Sequence, residues 1–111
     1  MTFFRHNFTK YNNKVTFIDG HRFMSKREAA RYVDLKNLER GGIISNLELQ
    51  PRFPIVINGV KICDYVADFR YYDNERRREV VEDVKGVKTP EYKLKKKLVL
   101  AVLGLEIVEI T

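Results

Sequence analysis

Two short runs of β-branched and aromatic residues, 65–72 (YVADFRYY) and 79–85 (EVVEDVK), constrain this chain more than any other feature. Each has the composition of a strand, and the polar stretch 73–78 between them has the composition of a turn. A loop over 73–78 sets Tyr72 opposite Glu79 and, counting back along the ladder, Asp68 opposite Asp83. Two carboxylates facing each other across a ladder repel, so a chain that needed only to fold would gain by losing one. A hard divalent cation between them removes the repulsion, because Mg²⁺ takes oxygen from one or two carboxylates and keeps several waters. Side chains alternate along a strand, so Asp83 and Lys85 share a face while Val84 points away. Carboxylates that hold a metal beside a lysine suit phosphodiester hydrolysis. The cation polarises phosphate and water, and the ammonium stabilises charge or positions the nucleophile. The plainer reading is a solvated hairpin face carrying an Asp–Lys pair.

The chain is 111 residues long, enough for one core and not for two. A net charge of +6 points to a polyanionic partner, of which nucleic acid is the usual one. Cys63 is the lone cysteine and His6 and His21 are the only histidines, which argues against an internal disulfide and against a zinc site of the usual types. No apolar run approaches the roughly 20 residues of a membrane span. The first residues lack the apolar core of a secretion signal, so the expected compartment is the cytoplasm. Residues 1–14 interleave Phe3, Phe4, Phe8 and Tyr11 with Arg5, His6, Lys10 and Lys14. They form an arm that lies along a nucleic-acid backbone, packs on a partner subunit or frays. Residues 15–111 form a single domain.

Within that domain, Asp19-Gly20 between two short apolar runs predicts a β-hairpin with a type I′ turn. Ser25 opens a helix that runs to about Arg40, with Gly41-Gly42 ending it. Ser25 and Glu28 have capping-box spacing, which is one use for Glu28. Glu28 also shares a stripe with Tyr32 and Leu35, which should face the sheet, and a carboxylate there needs a partner such as a metal. Residues 43–50 read as a strand ending at Gln50, before Pro51. Asn58-Gly59 marks a second hairpin leading into the strand of Asp68. Thr89-Pro90-Glu91 starts a second helix with Leu94, Leu98, Ala101 and Leu105 on its buried side. Lys93, Lys95, Lys96 and Lys97 crowd its first half, as a solvated face or as a grip on phosphates. A final strand over 105–110 has Glu106 and Glu109 facing out and can lie parallel to the Asp83 strand, since the helix is a crossover. The result is an α/β fold: a mixed β-sheet flanked by α-helices, with an N-terminal β-hairpin.

The order helix, three strands, helix, strand, with Glu28, Asp68 and Asp83-Val84-Lys85 at these spacings, resembles the PD-(D/E)xK nuclease superfamily and its restriction-endonuclease-like fold. The wider string is similar to small phage-encoded Holliday-junction-resolvase-like endonucleases. It comprises Tyr11-Asn12, Asp19-Gly20, Phe23, Ser25-Lys26, Glu28-Ala29, Gly42, Ile44, Leu49-Gln50-Pro51 and 82–86 (EDVKG). The likeness covers nearly the whole chain. It implies Asp68 and Asp83 as metal ligands, with an added oxygen from the Val84 carbonyl. Lys85 would orient the attacking water, Glu28 would hold a metal or its water, and Gln50 would be the glutamine that precedes the metal strand in some branches. Ala67 stands where a proline is usual, and Asp83 where glutamate is commoner. The implied activity is Mg²⁺- or Mn²⁺-dependent cutting of branched DNA in phage recombination, by a homodimer, since a four-way junction has two-fold symmetry. Arg76, Arg77, Arg78, Lys88, Lys93, Lys96 and Lys97 would contact the DNA. A sequence-specific nuclease of restriction or transposition type and a non-catalytic DNA-binding protein are the other readings.

Overall fold

The structure, a computed structural model, describes residues 15–111, so the arm over 1–14 lies outside the described residues. The chain divides into two compact units between Asn37 and Leu38. No helix among the described residues is long and apolar enough to cross a membrane.

The first unit follows from its turn chemistry. Asp19 and Gly20 both adopt positive φ, 52° and 78°, as a type I′ turn requires. They join β1 (Thr16–Ile18) to the antiparallel β2 (His21–Phe23). Ser25 then caps α1 (Lys26–Arg40), its Oγ accepting from the Glu28 amide at 3.1 Å. Glu28, Ala29, Tyr32 and Leu35 form the buried stripe of the helix, the 3.6-residue pattern that the sequence predicts. The Tyr32 hydroxyl donates to Asp19 Oδ2 at 2.9 Å, and its ring lies 5.0 Å from that of Phe23. The turn of the hairpin is thereby tied to the helix.

The second unit begins in the last turn of α1, which closes through the Ile43 amide on the Leu38 carbonyl at 3.0 Å, with Gly42 at φ 77°. A four-stranded mixed sheet follows, in the order β3 (Ile44–Leu49), β6 (Phe69–Asp73), β7 (Arg78–Val84), β8 (Ile107–Ile110). Its first three strands are antiparallel, and β7 and β8 are parallel. The crossover that parallel pairing needs is α2 (Pro90–Leu103), capped by Thr89 and stopped by Gly104 at φ 65°. A separate hairpin, β4 (Arg52–Ile57) and β5 (Val60–Val66), turns at Asn58-Gly59. One core joins these elements: Ile55, Tyr65, Ala67, Val81, Tyr92, Val99 and Ile107 are buried together, with Phe53, Cys63, Leu98 and Leu105 against them. Ile55 is fully buried at its centre. Ile55→Ala should therefore cost about 2–5 kcal/mol, read as a lower denaturant midpoint with an unchanged slope.

Two features differ from the sequence expectation. Residues 65–72 are not one strand. Tyr65 and Val66 finish β5, Phe69 begins β6, and the chain changes sheets at Ala67-Asp68. The Ala67 amide bonds the Pro51 carbonyl at 3.1 Å while the Asp68 amide bonds the Glu82 carbonyl at 3.1 Å, so the two halves satisfy different ladders. The buried side of α2 is also rotated. Tyr92 and Val99 are its buried residues, whereas Leu94 is 60% exposed and Ala101 is exposed. The tyrosine ring offers more apolar area than a leucine and takes the core side, leaving Leu98 and Leu105 packed at its margin.

Candidate active site

The β6–β7 ladder pairs Tyr72 with Glu79 and Phe69 with Glu82, the register that the loop over 73–78 predicts. Extended by one residue, it sets Asp68 opposite Asp83. Asp68 lies just outside β6, and its Oδ2 accepts the Val84 amide at 2.7 Å. A carboxylate thus takes the place of a backbone carbonyl at the end of the ladder and binds the two strand ends together.

Asp83 is 2% exposed, and a buried carboxylate has to be paired or hydrogen-bonded. The Tyr65 hydroxyl donates to its Oδ2, and Lys85 Nζ lies 3.4 Å from its Oδ1. The same ammonium sits 4.4 Å from the centroid of the Tyr92 ring, a cation–π contact. Burial first, then the bond to Asp83, holds the Tyr65 hydroxyl far above its ordinary range. Burial and then the bond to Glu109 do the same for Tyr92. The negative charges of both Asp83 and Asp68 add to each shift, so the two aspartates act on the same pair of hydroxyls. Tyr65, Lys85 and Tyr92 also line one side of a cavity of about 330 Å³ with Asp64, Thr89 and Lys95.

Among the described residues, no group of three or more His, Cys, Asp or Glu side chains is arranged to hold a metal. Two carboxylates are nevertheless as many as Mg²⁺ takes from many proteins, water supplying its remaining ligands. The pair at this strand end fits that requirement.

A family model described as "Protein of unknown function (DUF1064)" matches residues 8–103. The chain belongs to this family. No curated protein and no solved structure gives a significant match.

Two lysines of the DUF1064 chain, Lys88 and Lys96, pair with a carboxylate within the molecule. Glu109, expected to face out, is half-buried and is the carboxylate that Lys88 and Lys96 share. Its carboxylate meets Lys88 Nζ at 2.9 Å, Lys96 Nζ at 3.1 Å and the Tyr92 hydroxyl at 2.8 Å. Lys88 first, then Tyr92 and Lys96, lower its pKa to about 2. Lys93 and Lys97 join Lys88 and Lys96 along a groove of about 540 Å³ between α2 and β8. Because the folded pKa of Glu109 lies below an unfolded value of 4.5, its contribution to stability is present above about pH 4.5. It is lost as the pH falls from there toward 2. Glu109→Gln should lower stability at pH 7 by about 1 kcal/mol, and the gap from wild type should close as thermal melts are taken from pH 5 to about pH 2.

Other residues singled out in the sequence lie elsewhere in the DUF1064 chain. Arg76, Arg77 and Arg78 are exposed at the opposite end of the β6–β7 ladder, the nearest of them roughly 17 Å from Asp83 at about 3.4 Å per residue. Asp73 Oδ1 shapes their turn by accepting the amides of Glu75 and Arg76 at 3.0 and 3.1 Å. Gln50 is exposed with φ 51°, and its amide donates to the Asp68 carbonyl at 2.9 Å. Its link to the site strand is through backbone. Glu28 is buried on α1 in the first unit. Glu82 is 1% exposed and accepts from the Tyr71 hydroxyl, on the face away from Asp83 as alternation requires. Sequence reasoning missed Tyr65, Tyr92 and Glu109. The single hint was a tyrosine at the third position of a helix entered directly from the Lys85 strand.

Proposed function

We propose that this DUF1064 chain is a metal-dependent endonuclease that hydrolyses phosphodiester bonds in branched DNA and works as a homodimer on four-way junctions. The observation that carries the reading is the placement of two carboxylates and one ammonium on adjacent strand ends: Asp68 Oδ2 accepts the amide of Val84, the residue between Asp83 and Lys85, and Lys85 Nζ lies 3.4 Å from Asp83. A protein that only bound DNA would gain nothing from two carboxylates near phosphates, since they repel the ligand unless a cation intervenes.

In this reading Asp68 and Asp83 would hold Mg²⁺ or Mn²⁺, with the Val84 carbonyl as a further oxygen donor. When bound, the ion supplies Lewis-acid polarisation of the phosphate and a more acidic water. Tyr65 keeps Asp83 turned toward the strand end through its bond to Oδ2. Lys85, with a side chain 27% exposed, offers an ammonium that can donate to a phosphate oxygen or to the attacking water. The net charge of +6 draws the DNA in. Junction selectivity rests on the family resemblance and on the symmetry of a four-way junction, which matches paired sites on a dimer.

The test is cutting of an end-labelled four-way junction and of linear duplex of the same sequence, with Mg²⁺, Mn²⁺ or EDTA. Metal-dependent nicking confined to the junction is the expected result. Equal cutting of both substrates would keep the nuclease and remove the resolvase. Tight binding without cutting in either metal would sink the mechanism and leave a DNA-binding protein.

A further inference from the structure

We propose that Tyr92 is a positioning residue for Lys85, and that Glu109, Lys88 and Lys96 form the brace that holds Tyr92 in place. The inference rests on the nuclease reading for its effect on rate, but its geometry stands apart from that reading. Lysine is a flexible four-carbon stem that ends in a compact charge, and on its own it would sample many rotamers. Here two contacts restrain the Lys85 ammonium: Asp83 Oδ1 at 3.4 Å and the face of the Tyr92 ring at 4.4 Å. Asp83 is also the residue assigned to the metal, so a cation bound there competes with Lys85 for the carboxylate. The ring does not enter that competition, and it remains as a seat for the ammonium when the carboxylate is engaged.

The ring is itself fixed at both ends. Its body is buried in the core beside Tyr65, with ring centroids 6.5 Å apart. Its hydroxyl donates to Glu109 Oε2 at 2.8 Å. Glu109 is in turn clamped by Lys88 at 2.9 Å and Lys96 at 3.1 Å. The backbone reinforces the arrangement: Thr89 Oγ1 accepts the Tyr92 amide at 3.1 Å, and the Lys85 amide donates to the Ile110 carbonyl at 2.9 Å. The helix start, the end of β7 and the end of β8 are therefore locked together around one aromatic ring. Two of the lysines that the sequence assigns to DNA have a role inside the molecule, namely keeping Glu109 charged and in place. Lys93 and Lys97 remain the members of the cluster best suited to phosphates.

Two variants and two readouts test this. Tyr92→Leu removes the ring, whereas Tyr92→Phe keeps it and removes only the hydroxyl tether. The first readout is NMR of protein labelled with ¹³C at lysine Cε, the Lys85 signal being assigned by its loss in Lys85→Met. Protons held over an aromatic face are shifted upfield. The Lys85 ε-protons should be upfield of the other lysines in wild type and in Tyr92→Phe, and should return to the common position in Tyr92→Leu. The second readout is single-turnover cleavage at saturating junction DNA, with the dissociation constant measured separately. Tyr92→Leu should cut on the order of 10-fold more slowly or worse, as losses of outer supporting residues do, with junction affinity unchanged. Tyr92→Phe should recover only part of that rate, the remainder being what the tether to Glu109 supplies, and a Tyr92→Phe rate equal to wild type would remove the brace. An unshifted Lys85 signal in wild type would overturn the proposal. So would a rate in Tyr92→Leu equal to wild type, or a loss in Tyr92→Phe as large as in Tyr92→Leu. If wild type cuts no DNA, the nuclease reading fails on its own, and the NMR comparison still decides where Lys85 sits.

Discussion

Asp83→Asn should lower junction cleavage by on the order of 10³-fold, the scale set by removing a group that stabilises transition-state charge, while the protein stays folded and still binds DNA. Asparagine matches aspartate in size, and its carbonyl oxygen can still accept from Tyr65. What it removes is the charge. Without that charge the strand end has one formal negative group, Asp68, to hold a divalent cation, and Lys85 has lost its partner at 3.4 Å. Folding should suffer little, because asparagine keeps the size of the side chain and Lys85, the charge that loses its partner, is 27% exposed and can turn to solvent. The check is a single-turnover time course beside a thermal melt and a binding titration in EDTA. A rate within tenfold of wild type would remove Asp83 from the chemistry.

Lys85→Met should slow cleavage by about 10²–10³-fold with little change in junction affinity. Methionine preserves the unbranched stem and its packing against Tyr92, since sulfur–aromatic contacts are favourable, so the substitution isolates the ammonium. One phosphate contact among many matters little to affinity, whereas a charge placed at the reacting group acts mainly in the transition state. Lys85→Arg keeps a positive charge but replaces a compact point with a planar fork, and should recover only part of the loss. Rates and dissociation constants measured for the three proteins separate these effects. A parallel fall in affinity and rate would recast Lys85 as an ordinary DNA contact.

The parts of the fold that were legible in the sequence are those set by local chemistry. Asp19-Gly20 and Asn58-Gly59 mark their turns because both residues of each pair must take positive φ. Ser25, Thr89 and Gly104 mark helix ends because they satisfy or release backbone groups within a turn. The register of β6 against β7 followed from taking 73–78 as the loop, which joins Tyr72 to Glu79, and a loop of another length would have shifted it. The break at Ala67-Asp68 was hidden because two weak strand formers between β-forming residues are too short an interruption to mark a boundary. What switches the chain there is the Asp68 amide, which bonds Glu82, distant in sequence, where the Ala67 amide still bonds Pro51. The partners of Asp83, Lys85 and Glu109 were hidden likewise. Tyr65 reaches Asp83 only because the chain changes sheets, and Tyr92 reaches Glu109 only because α2 crosses back to β8. Alternation placed Asp83 and Lys85 on one face, but no periodicity in the chain gives the ring that Lys85 rests on.

The central claim is that a divalent cation sits at the strand end between Asp68 and Asp83, and iron-directed cleavage of the polypeptide tests it most directly. Fe²⁺ substituted for Mg²⁺, with ascorbate and peroxide, releases radicals that cut the backbone beside the metal. Mass spectrometry then maps the cuts, and no DNA is needed. The predicted result is two clusters of cuts, around Asp68 and around 82–85, suppressed by excess Mg²⁺ and lost in Asp83→Asn. Cuts confined to other segments, or cuts at these positions that persist unchanged in Asp83→Asn, would contradict the claim.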